Sequence, residues 1–288
     1  MKTILFLLTT IILSYTAQAQ DKKAYQLYNK ATEKTNFASM LNEIVDADII
    51  LFGELHDNPI AHWLQLELTK AVYEHKDGNI TLGAEMFESD NQLIINEYLE
   101  DFYETDKFEK DCRLWLNYTT DYKPLLEFAK SNKIPFIATN IPRRYASMVF
   151  KNGFEYLEKL SSEAKTYLPP LPIQYNAELP AYKAMMQMGG GPMHANSNFP
   201  KAQAIKDATM AHFILKYFQK GNCFIHYHGA YHSDNYQGIY WYLQQENPKL
   251  NICTISTVLQ KDIENLLTEN QAIADFIIVV PETMTRTY

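Results

Sequence analysis

Carboxylate, imidazole and guanidinium side chains follow short apolar runs of this chain, and such groups bind metal ions, move protons and stabilise negative charge. Glu54 and His56 come directly after the apolar run 49–52, Glu85 lies near the end of a second run, and Arg143 follows a third. In an extended chain, residues two apart point to the same side, so Glu54 and His56 are expected to leave their run together. If the ends of these runs meet, the side chains can form one polar site.

A fourth apolar run supplies imidazoles. His226 and His228 are two apart, and His232 follows them closely. One strand end can therefore place several imidazoles side by side. The alternative without a function is that His56, Glu54 and His232 form a buried hydrogen-bonded network that only braces the strand ends.

A carboxylate with two imidazoles would suit zinc or another divalent ion with an open coordination position. The predicted metal ligands are His56, Glu85 and His232. A bound metal lowers the pKa of its water, and Glu54 would then act as the general base. Arg143 or His228 would stabilise the developing negative charge.

The apolar runs are too short for helices and are bounded by turn residues, so they predict buried strands at 49–52, 79–86, 136–139, 223–228, 252–258 and 276–280. Helices are predicted from Pro59 to about 75 and from Pro200 to about 219, and the spacing over 22–44 predicts a further helix or two. Strands separated by helices predict an α/β fold with a mostly parallel central sheet and helices on both faces. Because ligands of such sheets bind outside the carboxyl ends of the strands, the polar run ends are expected to converge there.

Residues 145–200 differ from the rest of the chain. They contain a proline-rich stretch and a run rich in methionine and glycine. This composition predicts a smaller helical lobe within a single α/β domain over 20–288.

Length and composition fit one large domain with a sizeable core, since the chain has 288 residues, of which 47% are hydrophobic and 21% charged. The formal net charge is -8 and no run rich in lysine and arginine occurs. Nucleic acid is therefore not an expected partner. The three cysteines are an odd number, which predicts small buried thiols and not a disulfide framework.

Residues 1–19 predict a secretory signal peptide. Lys2 precedes an apolar stretch over 4–12, and Ala17-Gln18-Ala19 forms a small-x-small cleavage pattern. The apolar stretch is too short to span a membrane permanently, so the mature chain is expected to lack a transmembrane helix. No lipobox cysteine stands near the cleavage site. The protein is expected to be exported, either to the periplasm or out of the cell.

Five motifs in one order resemble the ChaN-like haem-binding family, a branch of the superfamily that also contains erythromycin esterases and Tiki-type metalloproteases. The motifs, spread over about residues 37–260, are Gly53-Glu54-Leu55-His56, Gly83-Ala84-Glu85-Met86, Asn140-Ile141-Pro142-Arg143, the segment 203–211 and Gly229-Ala230-Tyr231-His232. The resemblance implies an α/β sheet domain with a smaller helical lobe, export or outer-membrane attachment, and haem bound at a dimer interface in iron acquisition. Haem, an outer-membrane haem-uptake machinery and a second copy of the chain are the implied partners.

Haem iron is usually held by tyrosinate, histidine or methionine. The predicted haem ligands lie in the helical lobe and are Tyr145, Met185, Met186 and His194. The alternative function, implied by the wider superfamily, is a metal-dependent esterase or peptidase that uses the Glu/His site at the carboxyl edge of the sheet. Asp207, inside a predicted alanine-rich helix, is expected to be structural and to pair with Arg143 or a histidine of the site.

Overall fold

A central sheet of eight strands organises the part of the chain that the computed structural model describes, residues 22–187 and 196–288. The predicted signal peptide at 1–19 and the predicted haem ligand His194 lie outside these residues. The strands are β1 (Gln26–Asn29), β2 (Lys34–Thr35), β3 (Ile49–Glu54), β4 (Ile80–Glu88), β5 (Phe136–Asn140), β6 (Cys223–Gly229), β7 (Ile252–Gln260) and β8 (Phe276–Pro281).

Most neighbouring strands run parallel. Across the sheet the order is β2-β1-β8-β7-β3-β6-β4-β5, and only the pairings of β1 with β2 and with β8 are antiparallel. Every residue of β3 and β4 is buried, as parallel strands covered on both faces should be. The predicted mostly parallel α/β fold is confirmed.

Helices cover both faces of the sheet. They are α1 (Phe37–Ile44), α2 (Pro59–His75), α3 (Gln92–Leu99), α4 (Thr105–Asp111), α5 (Lys123–Asn132), α6 (Arg143–Asn152), α7 (Ser162–Lys165), α8 (Pro180–Gln187), α9 (Phe199–Tyr217) and α10 (Ile239–Glu246). Alternate residues of β3 show the two layers. Ile50 and Phe52 pack in a core with α2 and α5, whereas Ile49 and Leu51 pack with α9 and α10.

The direction in which the chain crosses the sheet reverses after β5. From β3 the chain passes through α2 to β4 and then to β5, and it returns through α9 to β6, between β3 and β4. Crossovers between parallel strands are right-handed, so a connection that runs back across the sheet places its helix on the opposite face. This is why α2 and α9 cover different faces of the sheet. Open α/β sheets bind ligands where the direction reverses. The fold therefore favours a ligand site at the carboxyl ends of β3, β6 and β4.

The predicted helix over the first part of 22–44 is wrong. Only α1 is helical there, and residues 26–29 and 34–35 are strands. Leu27 packs in the main core while Tyr28 packs in a separate cluster on the other face of the sheet. The short β1 pairs with β8, and this tertiary pairing overrides a weak local helical spacing.

The predicted helical lobe corresponds to α6, α7, α8 and a 3₁₀ segment at Phe154–Lys159 in the described part of 145–200. Its apolar side chains form two small clusters, around Val149 and around Tyr182, each with a side chain from α9. Among the described residues, no helix combines the length and the apolarity that crossing a bilayer requires. Cys112, Cys223 and Cys253 are all free thiols, and the predicted burial is observed for the first two, while Cys253 is partly exposed.

Candidate functional site at the carboxyl edge of the sheet

The polar ends of neighbouring strands meet at one edge of the sheet. β6 lies between β3 and β4, and Glu54 on β3 stands opposite Gly229 on β6. His232, just after β6, lies 3.2 Å from Glu85 on β4 through Nε2 and Oε1. His56 and Glu85 border the same cavity. The structure therefore brings together the strand-end carboxylates and imidazoles that the sequence predicts.

Glu54 is a buried carboxylate surrounded by hydrogen-bond donors. Its Oε1 accepts from His56 Nδ1 at 2.9 Å and from the Tyr122 hydroxyl at 2.7 Å, while its Oε2 accepts from Gln65 Nε2 at 2.5 Å and faces His62 Nδ1 at 3.4 Å. Burial would raise the pKa of this carboxyl, but the hydrogen bonds from His56 and His62 lower it to about 2. Glu54 is thus an anion that fixes the orientation of His56.

His56 lines the cavity and has one ring nitrogen that Glu54 does not hold. Nδ1 is held by Glu54, and no described residue provides a hydrogen-bond partner for Nε2. The ring packs edge-on against Trp115, with 4.9 Å between centroids. Burial lowers the pKa of this imidazole, but the bond from Glu54 and the charge of Glu85 outweigh it and raise the pKa above its usual value. His56 is therefore an oriented imidazole with one free nitrogen.

Two glycines allow the close approach of β3, β6 and His56. A Cβ on Gly53 would lie 2.8 Å from the Ala230 Cα, so another backbone occupies the space beside this glycine. A Cβ on Gly229 would lie 2.8 Å from His56 Cε1 and Nε2. Only a residue without a side chain at 229 leaves the imidazole in place.

A second ionic group lies beside the first. His232 donates through Nε2 to Glu85 and through Nδ1 to Asp207, in a short contact, and Asp207 also accepts from the Tyr182 hydroxyl at 2.8 Å. Gly229 N donates to Glu85 Oε2 at 2.9 Å. Burial opposes the charge on His232, but Glu85 and Asp207 raise its pKa to about 10. The predicted pairing of a buried Asp207 with a histidine of the site is observed.

His226 and His228 belong to a buried chain of neutral groups. Thr139 Oγ1 lies 2.7 Å from His226 Nε2, the two Nδ1 atoms are 3.0 Å apart, and His228 Nε2 lies 2.8 Å from Ser233 Oγ. Burial lowers the pKa of His228 to about 3, with the charge of His232 acting in the same direction. His228 lies behind the cavity, so its predicted role in stabilising negative charge stays a prediction.

A cavity of about 440 Å³ opens above these groups, between the strand ends and the helices α6 and α9. Its floor contains the side chains of His56, Glu85 and Asn140. Its walls and rim contain Glu88, Trp115, Ile141, Arg143, Ala146, Ser147, Phe150, Phe199, Ala202 and Lys206. The cavity thus combines aromatic walls, an oriented imidazole and cationic side chains, and its volume is typical of sites for small molecules. A cavity of about 550 Å³ between the prolines near 170 and α9 contains none of the predicted site residues.

The structure does not bring the predicted haem ligands of the lobe to this cavity. Tyr145 is buried and lies beside Arg144, Met185 packs with Tyr182 in the lobe, and Met186 is 41% exposed. None of the three lines the cavity. Arg143 does line it, with a side chain that is 78% exposed and has its Nε 3.7 Å from Glu88 Oε1.

The aromatic walls and the donors around Glu54 were not found from the sequence. Trp115, Phe150 and Phe199 come from three separate segments, and Gln65 and Tyr122 reach Glu54 from two more. Aromatic residues are frequent throughout this chain, so their positions alone did not distinguish cavity walls from core. Lys206 could have been identified from the sequence, because it precedes Asp207 in one of the motifs.

The predicted metal site of His56, Glu85 and His232 is not assembled in the structure. Within 22–187 and 196–288, no group of three or more histidine, cysteine, aspartate or glutamate side chains is arranged to hold a metal ion. The reason lies in His232, because both of its ring nitrogens are hydrogen-bonded to carboxylates. The metal assignment stays a prediction that the geometry does not favour.

Comparison with known proteins finds similarity both in sequence and in fold. Residues 40–243 match a family described as haem-binding uptake, Tiki superfamily, ChaN. The structure is similar to the one titled "Cofacial heme binding to ChaN of Campylobacter jejuni", with a TM-score of 0.66 and 16% identity over 91% of this chain and 98% of that chain. An erythromycin esterase mutant in its open conformation gives a TM-score of 0.47 and 10% identity, covering 88% and 82% of the two chains. A curated relative, the chloroplastic protein RETICULATA-RELATED 5 of Arabidopsis thaliana, is 23% identical over 187 residues, and the match spans 60% of this chain but only 25% of the relative.

Proposed function

The chain belongs to the ChaN haem-binding uptake family of the Tiki superfamily, and on that premise we propose that it binds haem in the cavity at the carboxyl edge of its sheet. One observation carries the proposal. His56 is held through Nδ1 by a buried carboxylate, its Nε2 has no hydrogen-bond partner among the described residues, and it lines a cavity with aromatic walls. A carboxylate bonded to the far nitrogen of a ligating histidine fixes the ring and increases its basicity.

The other cavity residues fit the rest of a haem molecule. Trp115, Phe150 and Phe199 offer apolar surface for the macrocycle, and Arg143 and Lys206 offer cations for its carboxylates. Most of the affinity would come from burying the macrocycle, while the iron ligand would add orientation and specificity. Bound haem would supply its iron chemistry, and the residues of this chain would bind and orient it.

The wider role is also a proposal. The predicted signal peptide supports export to the periplasm or out of the cell, and the family description supports a role in haem uptake. A homodimer and contact with an outer-membrane haem-uptake machinery remain expectations from the family. Sedimentation with and without hemin would measure the oligomeric state.

Titration of the purified protein with hemin tests the proposal. We expect one tight site with a visible spectrum of histidine-ligated iron. Changing His56 to alanine should abolish that spectrum and weaken binding by about 10- to 100-fold, or about 1.4–2.8 kcal/mol, because the apolar contacts remain. His75→Ala is the matched control, since His75 is exposed at the end of α2. Equal hemin spectra for the two variants would contradict the assignment of His56.

The cations at the rim make a separate prediction. Lys206→Gln should weaken hemin binding by roughly three- to tenfold, about 1 kcal/mol, because an exposed charge pair contributes modestly. The same change should leave the binding of hemin dimethyl ester almost unaltered, since the ester lacks the carboxylates. Lys216→Gln, further along α9, is the control. If hemin and its ester lose affinity equally, Lys206 contributes packing and not charge recognition.

A hydrolase is the second candidate, and one observation favours it. Asn140 Nδ2 donates to the Glu85 carbonyl at 3.0 Å, while its buried Oδ1 has no partner among the described residues. Asn140 lines the cavity, and its unpaired oxygen suits a substrate or water that donates a hydrogen bond. His56, oriented by Glu54, could then serve as general base without a metal. Ester hydrolysis that survives metal chelation and is lost in His56→Ala would favour this candidate.

A further inference from the structure

The segment that follows β8 reaches across the sheet to the site. β8 is parallel to β7, and β7 is parallel to β3, so all three strands end at the same edge. Neighbouring strands are about 4.8 Å apart, so the distance from β8 to β3 is roughly 10 Å. A few extended residues can cover it. Arg286 and Thr287 lie against the loop that carries His56.

Consecutive residues of this segment hold the loop and a neighbouring turn. Arg286 Nη1 lies 2.9 Å from Asp57 Oδ2, and Thr287 N donates to the Asp57 carbonyl at 3.0 Å. The Thr287 hydroxyl donates to Asp121 Oδ2 at 2.8 Å. Asp57 directly follows His56 in the chain, and Asp121 is buried in the turn Tyr118–Tyr122.

The same turn also holds the backbone of His56. Asn117 Nδ2 donates to the His56 carbonyl at 2.8 Å and to Asp121 Oδ2 at 2.6 Å. His62 Nε2 lies 3.1 Å from that carbonyl and 3.4 Å from Asp121 Oδ2. A buried carboxylate is stable only when donors surround it. Thr287 is therefore one of the groups that keep this turn, and with it the His56 backbone, in one arrangement.

We infer that Arg286 and Thr287 form a positioning strap, which holds the His56 loop so that the imidazole stays bonded to Glu54 at the border of the cavity. Neither residue touches the cavity. Each acts through Asp57 or Asp121. For hemin affinity the inference rests on the proposed function, whereas for the order of the loop it does not.

Hydrogen exchange of the protein without ligand tests the strap directly. We compare the wild type with Arg286→Gln/Thr287→Val and with a chain that ends at residue 285. The Nδ1 proton of His56, seen by nitrogen-edited NMR, should exchange roughly tenfold faster in the double variant and faster still in the shortened chain, because hydrogen bonds that oppose local opening are lost. Amides of β3 and β6 should not change. Unaltered exchange of the His56 proton in the shortened chain would overturn the inference.

Conservative changes separate positioning from a general structural role. Arg286→Lys/Thr287→Ser keeps the charge and the hydroxyl, so it should restore the slow exchange of the His56 proton. Lys165→Gln, which removes an exposed ion pair with Glu158 in the lobe, should leave that exchange at the wild-type rate. If the conservative variant exchanges as fast as Arg286→Gln/Thr287→Val, these side chains do not position His56.

Hemin titration of the same variants gives an independent measurement. The strap variants should bind hemin more weakly and lose part of the histidine-ligated spectrum, and the conservative variant should recover both. If the wild type binds no hemin, the proposed function fails, yet the exchange experiment still decides whether the strap positions His56. If the wild type binds hemin but the His56 proton exchanges at the same rate in the strap variants, the strap inference fails and the proposed function stands.

Discussion

Replacing His232 with alanine is expected to lower the free energy of unfolding by about 3–5 kcal/mol. The imidazole is buried between Glu85 and Asp207. Its removal leaves two buried carboxylates facing each other without a cation between them. Unfolding by urea, followed by circular dichroism at neutral pH, would measure the loss. A change below about 1 kcal/mol would mean that the three groups do not act as an ion triad.

The ion triad can be tested by a matched change and by pH. Asp207→Asn combined with His232→Gln removes one charge of each sign, so the double variant should be more stable than the sum of the single losses predicts. The pKa of His232 is raised to about 10 in the folded protein. Its contribution is therefore complete below the unfolded value of about 6.5 and is lost as the pH rises through about 10. The alanine variant should lack this alkaline loss of stability.

Replacing Gly229 with alanine is expected to remove the oriented imidazole. The backbone of Gly229, with φ -60° and ψ 134°, suits any residue. The new Cβ would, however, lie 2.8 Å from the His56 ring. The ring must leave Glu54, so hemin affinity should fall about 100-fold, or ~2.7 kcal/mol, and stability should fall by about 1–3 kcal/mol from overpacking. Hemin titration and urea unfolding measure the two losses.

His56→Ala supplies the control for this substitution. With the ring absent, the added methyl group meets no close atom of His56, so Gly229→Ala should be nearly neutral in that background. A large stability loss in both backgrounds would place the clash elsewhere, for instance at Glu85 Oε2, which lies 3.7 Å from the same Cβ position.

The sheet and the strand-end residues could be predicted because the signals for them are local. Each buried parallel strand is a short apolar run, and alternation within a strand sets the direction of Glu54 and His56. The antiparallel strand β1 could not be predicted in this way. Leu27 and Tyr28 are buried by pairing with β8, a contact between residues about 250 positions apart.

The helical lobe shows that composition alone does not predict which side chains face a ligand. Met185 and Tyr145 were expected to face a ligand, but the apolar sides of their helices pack inward, Met185 beside Ala204 of α9 and Tyr145 beside Val149. Composition identifies such residues as apolar and does not say which neighbour covers them. The cavity walls come from segments that only the fold brings together, and no spacing in the chain links Trp115 to Phe199.

The position of β6 between β3 and β4 has a consequence for synthesis. β3, β4 and β5 leave the ribosome first, but β3 and β4 are not neighbours, because each pairs with a strand that begins only at Cys223. Until then, Glu85 lacks its hydrogen bonds from the Gly229 backbone and the His232 imidazole. Contacts between residues so distant in sequence form slowly. The cavity at the carboxyl edge is thus among the last parts of the molecule to assemble, and a growing chain lacks it until β6 inserts.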